Sequence, residues 1–321
     1  MSFMQVSPQE GQGLKGSMAR TLKPHIGSLE GQRIRQDWML LAPQLILFIG
    51  LTLVPFIVAF PVLFTDRLSF QDTGVDYIGS ANFFRLFNDP NVQAEYFPAL
   101  WRTIRFVALN YVMVFVFGLT LALLIYEVGF TGWFFTIVYL PMMLSGLATG
   151  YIAEMLFSRS TGTVNLMLRE WFGIASPIDI KLPEGTTVLL PILIGWRYAG
   201  FNVAIFLAGL LAIPTDTIEA ARVDGASYWQ RLWKVYFPQM IPSFIIATIF
   251  CLIGSFGVFD ELIALNALSS NTEAKLLSVM FFTYAFQSQR LALGLVLTLQ
   301  TFLPLVMIAL LLQRLQRRLQ Y

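Results

Sequence analysis

The chain has 321 residues, of which 56% are hydrophobic and 12% charged, about half the ~25% charged share of soluble domains. One soluble core of this length cannot bury so much apolar surface, so the exterior is expected to face lipid. A net charge of +2 gives no footing for a nucleic-acid partner. The single cysteine, Cys251, excludes an internal disulfide framework, and the single histidine, His25, excludes a histidine cluster or triad within the membrane.

Residues 1–37 are polar and carry Lys15, Arg20, Lys23, Arg33 and Arg35. They lack the short apolar core of a signal peptide and read as a cytoplasmic tail ahead of one transmembrane domain, 38–321. Six apolar stretches follow: 39–63, 103–125, 133–157, 188–213, 240–265 and 291–312. Each matches the roughly 20 residues that a helix needs to cross a hydrocarbon core of about 30 Å. The predicted fold is therefore all-α, with six transmembrane helices. Trp38, Trp101, Trp133 and Tyr151 lie near span ends, as interfacial anchors do.

An even number of spans puts both termini on one side. Arg33 and Arg35 closely precede the first span, and Arg314, Arg317 and Arg318 closely follow the last. Basic residues in such flanks favour the cytoplasm for both termini. The outer loops are then 64–102, 158–187 and 266–290, and the run from Tyr77 to Phe87 has the helical period of a segment lying along the membrane surface. No GxxxxGK[ST] phosphate loop occurs, so ATP-driven work would need another chain to bind the nucleotide.

Between the fourth and fifth spans lies a polar segment, 214–239. Pro214 breaks the preceding helix. Asp216 and, three residues on, Glu219 have the spacing of a capping box. Gly225 suits a left-handed helix end. Ser227 with Gln230 repeats the capping signature for a second helix, which Pro238 is expected to stop. Two short helices with a turn at Gly225 follow. The small residues Ala220, Ala221, Gly225 and Ala226 admit close approach by another protein, and Glu219 and Asp224 offer carboxylates. An ordinary amphipathic interfacial hairpin would share these features.

The same segment resembles the EAA loop of ABC-importer permeases: Glu219, Ala220, Ala221, Asp224, Gly225, Ala226 and Pro238 match it residue for residue. The resemblance covers most of the chain and is nearest to the carbohydrate-uptake branch, the maltose, lactose and glycerol-phosphate type permeases. It rests there on the run from Trp196 to Pro214, on Tyr139-Leu-Pro141 and on Phe256-Gly-Val-Phe-Asp260. It implies a multi-pass permease subunit of the bacterial inner membrane, importing a sugar or sugar-like solute. A non-sugar cargo such as an amino acid, polyamine or oxyanion is the alternative. It further implies that Glu219 to Ala226 dock on an ATP-binding-cassette ATPase dimer, which binds the ATP and magnesium, while this chain holds no cofactor and no catalytic site. A second homologous permease and an extracytoplasmic solute-binding protein complete the implied assembly.

Ionisable residues inside spans are costly and mark a pathway or a pair. Arg197 lies about 15 Å into its span by helix rise, too deep to reach the interface easily. It faces either the cargo path or a structural partner, Asp260 or Glu261. The resemblance places Met142, Gly146, Tyr198 and Ser255 at pocket positions, and Asn202 lies one helical turn beyond Tyr198. A lone ion-coupled carrier, or a membrane enzyme built on Arg197, Glu154, Asp260 and Glu261, are competing readings that no motif supports.

Overall fold

The computed structural model describes residues 31, 34–72, 74–129, 131–174, 178–267 and 275–319. The predicted tail, 1–37, lies outside the described residues except for Gly31 and 34–37. Among the described residues all extended regular structure is helical, apart from one isolated bridge between Thr65 and Tyr77.

The chain divides into two units, 1–62 and 63–321. The first carries all but the last two residues of α1 (Ile34–Phe64), whose most apolar stretch has no buried residue. Leu40, Ile46, Leu51 and Val58 are all exposed. Such a surface is stable in lipid, where apolar side chains need no protein neighbour.

The second unit begins with α2 (Ala81–Asn88), which packs on α14 (Leu291–Leu319). Next, α3 (Pro90–Val128) is far longer than the apolar stretch 103–125. Asp89 caps it by accepting from the Asn91 amide, Pro90 pre-sets the first turn, and the mixed polar and apolar residues up to Arg102 extend it beyond the stretch 103–125. The expected third span is two helices, α4 (Gly132–Met143) and α5 (Gly146–Phe157), bent by 89°. Ser145 takes an extended backbone and caps α5 through the Ala148 amide. After α6 (Thr163–Phe172), the expected fourth span is also bent, by 57°, between α7 (Pro183–Arg197) and α8 (Ala199–Leu211). Among the described residues, four helices are thus long and apolar enough to cross a membrane, or up to six if each bent pair counts once.

α9 (Thr215–Val223) and α10 (228–239) form the polar hairpin. α11 (Ile241–Phe256) and α12 (Asp260–Ala264) make up the fifth apolar segment, and α13 (Leu277–Gln287) precedes α14.

α3 packs along α7 and α11, α8 packs along α3 and α11, and α5 packs on α12. Among the described residues three apolar clusters result. Phe106, Leu190, Ile194 and Leu262 centre one, and Tyr96, Leu277, Tyr284 and Leu297 another. In the third, Val203, Phe206 and Leu210 meet Ile218, Leu232 and Tyr236, so the hairpin is seated on the ends of α3 and α8. The α5–α12 contact depends on Gly150. A Cβ there would stand 2.5 Å from the Glu261 carbonyl and 2.6 Å from the Ala264 Cβ.

Candidate functional site

The hairpin tip follows the expected chemistry at Gly225 and Ser227 and departs from it at Asp216 and Pro238. Gly225 has φ +75°, and α9 closes with the Ala226 amide on the Ala221 carbonyl and the Gly225 amide on the Arg222 carbonyl, both 3.0 Å. This is the paired bonding that a left-handed glycine permits at a helix end. Ser227 and Gln230 form the reciprocal capping box. Across the turn, Arg231 Nη1 donates to the Ala226 carbonyl at 2.9 Å and ties the two helices together.

The capping box at Asp216 and Glu219 is not formed. α9 starts at Thr215, directly after the extended Pro214, so Asp216 already has helical geometry and sits in the first turn. There its carboxylate favours the positive end of the helix dipole. Pro238 does not stop α10 either, since the helix runs on to Gln239. A proline leaves the carbonyl four residues earlier without its usual donor. The π-turn at Leu232–Tyr236 re-registers the backbone just before it.

Glu219, Ala220, Asp224 and Gly225 are exposed, and Ala221 and Ala226 are half-buried. Val223 is 88% exposed, a large apolar side chain at the tip that the motif match alone did not single out. Its flanking position, between Arg222 and Asp224, was the available signal. Beside the hairpin, burial raises the Tyr228 phenol above its usual range, with the Glu127 and Tyr236 charges adding to the shift.

The second feature is a cavity of about 440 Å³ among α3, α4, α5, α7, α8, α11 and α12. Met142, Gly146, Arg197, Tyr198, Asn202 and Ser255 all line it. The expected constellation is therefore brought together, but its members do different things. Arg197 is 9% exposed, and its Nη1 donates to Glu261 Oε1 at 2.8 Å. Its Nε donates to the Leu144 carbonyl at 2.8 Å, at the break between α4 and α5. Of the two acidic partners left open by the sequence, Glu261 is the one engaged. The guanidinium carbon also lies 4.8 Å from the Tyr198 ring centroid, within cation–π range.

Asn202 is buried, and its Nδ2 donates to the Tyr198 carbonyl at 2.9 Å. It thereby adds a second bond at the α7–α8 bend to a carbonyl that also accepts from the Asn202 amide at 3.2 Å. Gly146 brings α5 close to α12, because a Cβ there would stand 2.7 Å from the Asp260 Cβ. Ser255 Oγ accepts from Asn110 Nδ2 at 2.8 Å. Asn110 lines the same wall and was missed, although a polar amide in the middle of the apolar run 103–125 is itself a signal. Phe201 and Phe250, edge-to-face at 5.3 Å, complete an aromatic rim. Among the described residues no group of His, Cys, Asp and Glu is arranged to hold a metal ion.

Residues 44–321 match the family described as binding-protein-dependent transport system inner membrane component. Among curated relatives, the probable starch degradation products transport system permease protein AmyD of Thermoanaerobacterium thermosulfurigenes is 30% identical over 259 residues, 80% of this chain and 85% of that protein. The lactose transport system permease protein LacF of Rhizobium radiobacter is 30% identical, covering 70% of this chain and 74% of that one. The trehalose transport system permease protein SugA of Mycobacterium tuberculosis is 28% identical, covering 84% of each. In fold, the chain is similar to a crystal structure of a bacterial ABC transporter involved in the import of the acidic polysaccharide alginate, with a TM-score of 0.70 and 24% identity over 89% of this chain and 98% of that one. With the helical fold, the apolar spans and this match in agreement, the chain is a multi-pass membrane protein and belongs to the family of inner membrane components of binding-protein-dependent transport systems.

Proposed function

We propose that this chain is the permease subunit of an ATP-driven importer that carries a sugar or oligosaccharide into the cell. In this reading, residues 1–37 are a cytoplasmic tail and 38–321 the permease domain. Six spans leave both termini in the cytoplasm, each bent pair crossing once, and 214–239 is the coupling loop. A second homologous permease supplies the facing wall of the path, and a solute-binding protein delivers cargo from outside. An ATPase dimer binds ATP and magnesium on the cytoplasmic side.

The observation that carries the reading is the hairpin tip. Glu219, Ala220, Asp224 and Gly225 are exposed on a turn held by the Ala221–Ala226 and Arg231–Ala226 bonds. Ile218, Leu232 and Tyr236 root that turn in the same cluster as α8. A push on the tip therefore reaches α8, and through the Tyr198 bend it reaches α7 and the cavity. Docking equally well in both states would shift nothing, so the contact energy must differ between the ATP-bound and ATP-free forms of the motor. The starch-product, lactose and trehalose systems named among the relatives favour a saccharide cargo.

The test uses the complete importer. Gly225→Trp places a bulky side chain where a Cβ now meets nothing within 4 Å; the left-handed φ of +75° strains it by about 1–2 kcal/mol, a local cost that should leave insertion intact while the side chain blocks docking. The expected result is normal insertion, loss of the copurifying ATPase and loss of sugar uptake. Retention of both ATPase and uptake would sink the docking role.

A further inference from the structure

Among the described residues the cavity wall carries three charged groups: Arg197, Glu261 and Asp260. Two of them cancel. The Arg197–Glu261 pair is buried, at 9% and 5% exposure, with N–O separation 2.8 Å, and the guanidinium spends its Nε on the Leu144 carbonyl. Asp260 lies next along the chain and also lines the cavity, but it is exposed. Its backbone begins α12, so the carboxylate sits at the mouth of that short helix, beside Gly146. The net charge that this chain contributes to the cavity is therefore negative, and it resides on Asp260.

Resting on the importer reading above, we propose that the cavity takes an uncharged saccharide, whose hydroxyls donate to the Asp260 carboxylate, and that it rejects acidic sugars. The Arg197 guanidinium is committed to Glu261 and to the α4–α5 break, so it is not the counter-ion of an anionic cargo. A carboxylate accepts hydrogen bonds only, through two oxygens, and so suits the vicinal hydroxyls of a neutral sugar. Tyr198, Phe201 and Phe250 offer aromatic surface to the apolar face of the sugar ring. A uronate or sugar phosphate would bring a second negative charge to a site partly withdrawn from water, where like charges repel far more strongly than in bulk. The alginate system similar in fold handles an acidic polysaccharide; the wall described here differs from what that chemistry asks for.

The experiment reconstitutes the full importer, with its ATPase, second permease and binding protein, in proteoliposomes. Uptake is measured for neutral probes (maltotriose, trehalose and lactose), for trigalacturonate and for spermidine. The expected result is uptake of at least one neutral saccharide and none of trigalacturonate. With Asp260→Asn, that uptake should fall about ten- to hundredfold, the worth of a hydrogen bond to a charged group. Stimulation of the ATPase by the loaded binding protein should persist, and Asp260→Glu should recover part of the uptake. Trigalacturonate uptake equal to that of the neutral sugars, or unchanged sugar uptake in Asp260→Asn, overturns the proposal and leaves the sugar-importer reading standing. Uptake of spermidine alone, or of no probe sugar, takes down both. Should Asp260→Asn fail to insert, the comparison of the neutral sugar taken up with trigalacturonate on the unmodified protein decides by itself.

Discussion

Arg197 and Glu261, 64 positions apart, meet through a single 2.8 Å ion pair that joins the end of α7 to α12. The same arginine reaches back to Leu144, so three otherwise separate backbone breaks converge on one side chain. They are the α4–α5 bend, the α7–α8 bend and the α11–α12 interruption. Removing one member of a buried pair leaves an uncompensated charge, whereas replacing both by apolar groups is often nearly neutral.

Glu261→Ala should therefore lower the stability of the detergent-solubilised protein by about 3–5 kcal/mol, while Arg197→Met with Glu261→Met recovers most of that loss. Thermal unfolding of the single and double variants measures this directly. Equal losses in both would show that the pair acts through something other than charge compensation.

Gly150 tests the neighbouring contact. A Cβ at that position would overlap the Glu261 carbonyl at 2.5 Å and the Ala264 Cβ at 2.6 Å. Backbone cannot rotate away as a side chain can, so Gly150→Ala should destabilise by about 1–3 kcal/mol through overpacking, despite its gain in helix propensity. A melting temperature unchanged or raised by Gly150→Ala would contradict the close packing of α5 on α12.

The capping box of α10 offers a milder lever. Ser227→Ala removes the acceptor for the Gln230 amide and should cost about 0.5–2 kcal/mol of local helix stability. Because the hairpin tip rests on that helix through Arg231, affinity for the ATPase should fall severalfold without complete loss. Hydrogen exchange at the Gln230 amide, read beside ATPase titration, separates fraying from direct loss of contact.

At the turn 66–72, the carboxylate of Asp72 accepts from the Ser69 and Leu68 amides, both 2.8 Å, and from Ser69 Oγ. These backbone donors hold its pKa below the ordinary 3.8. A group depressed on folding stabilises the turn fully above the unfolded pKa, and that contribution is lost as pH falls through the lower folded value. Protection of the Leu68 and Ser69 amides should therefore persist across neutral and mildly acid pH and fade only below 3.8. Asp72→Asn should weaken it already at neutral pH. The same turn holds the start of α14 through bonds from the Leu291 and Ala292 amides to the Leu68 and Arg67 carbonyls, so proteolysis near Leu291 provides a second readout.

The Gly225 turn and the Ser227 capping box were legible in the sequence because each depends on backbone within a few residues. A left-handed glycine and a reciprocal cap need no distant partner. The same locality misled at Asp216 and Pro238. There the deciding facts were the register in which α9 begins after Pro214 and a π-turn upstream of Pro238, and neither is written in residue type.

Composition and hydropathy determined by themselves that this chain is helical and built for lipid, because twenty apolar residues in a row have no other stable surrounding. They also marked the buried arginine as a residue needing a reason. Only the tertiary structure decided what the reason is. Glu261 rather than Asp260 meets Arg197 because Gly146 and Gly150 let α12 lie hard against α5, which buries the Glu261 carboxylate against the guanidinium and leaves Asp260 exposed at the cavity wall. Adjacent residues on a helix point about 100° apart, so their fates diverge once a neighbouring helix fixes which direction is inside.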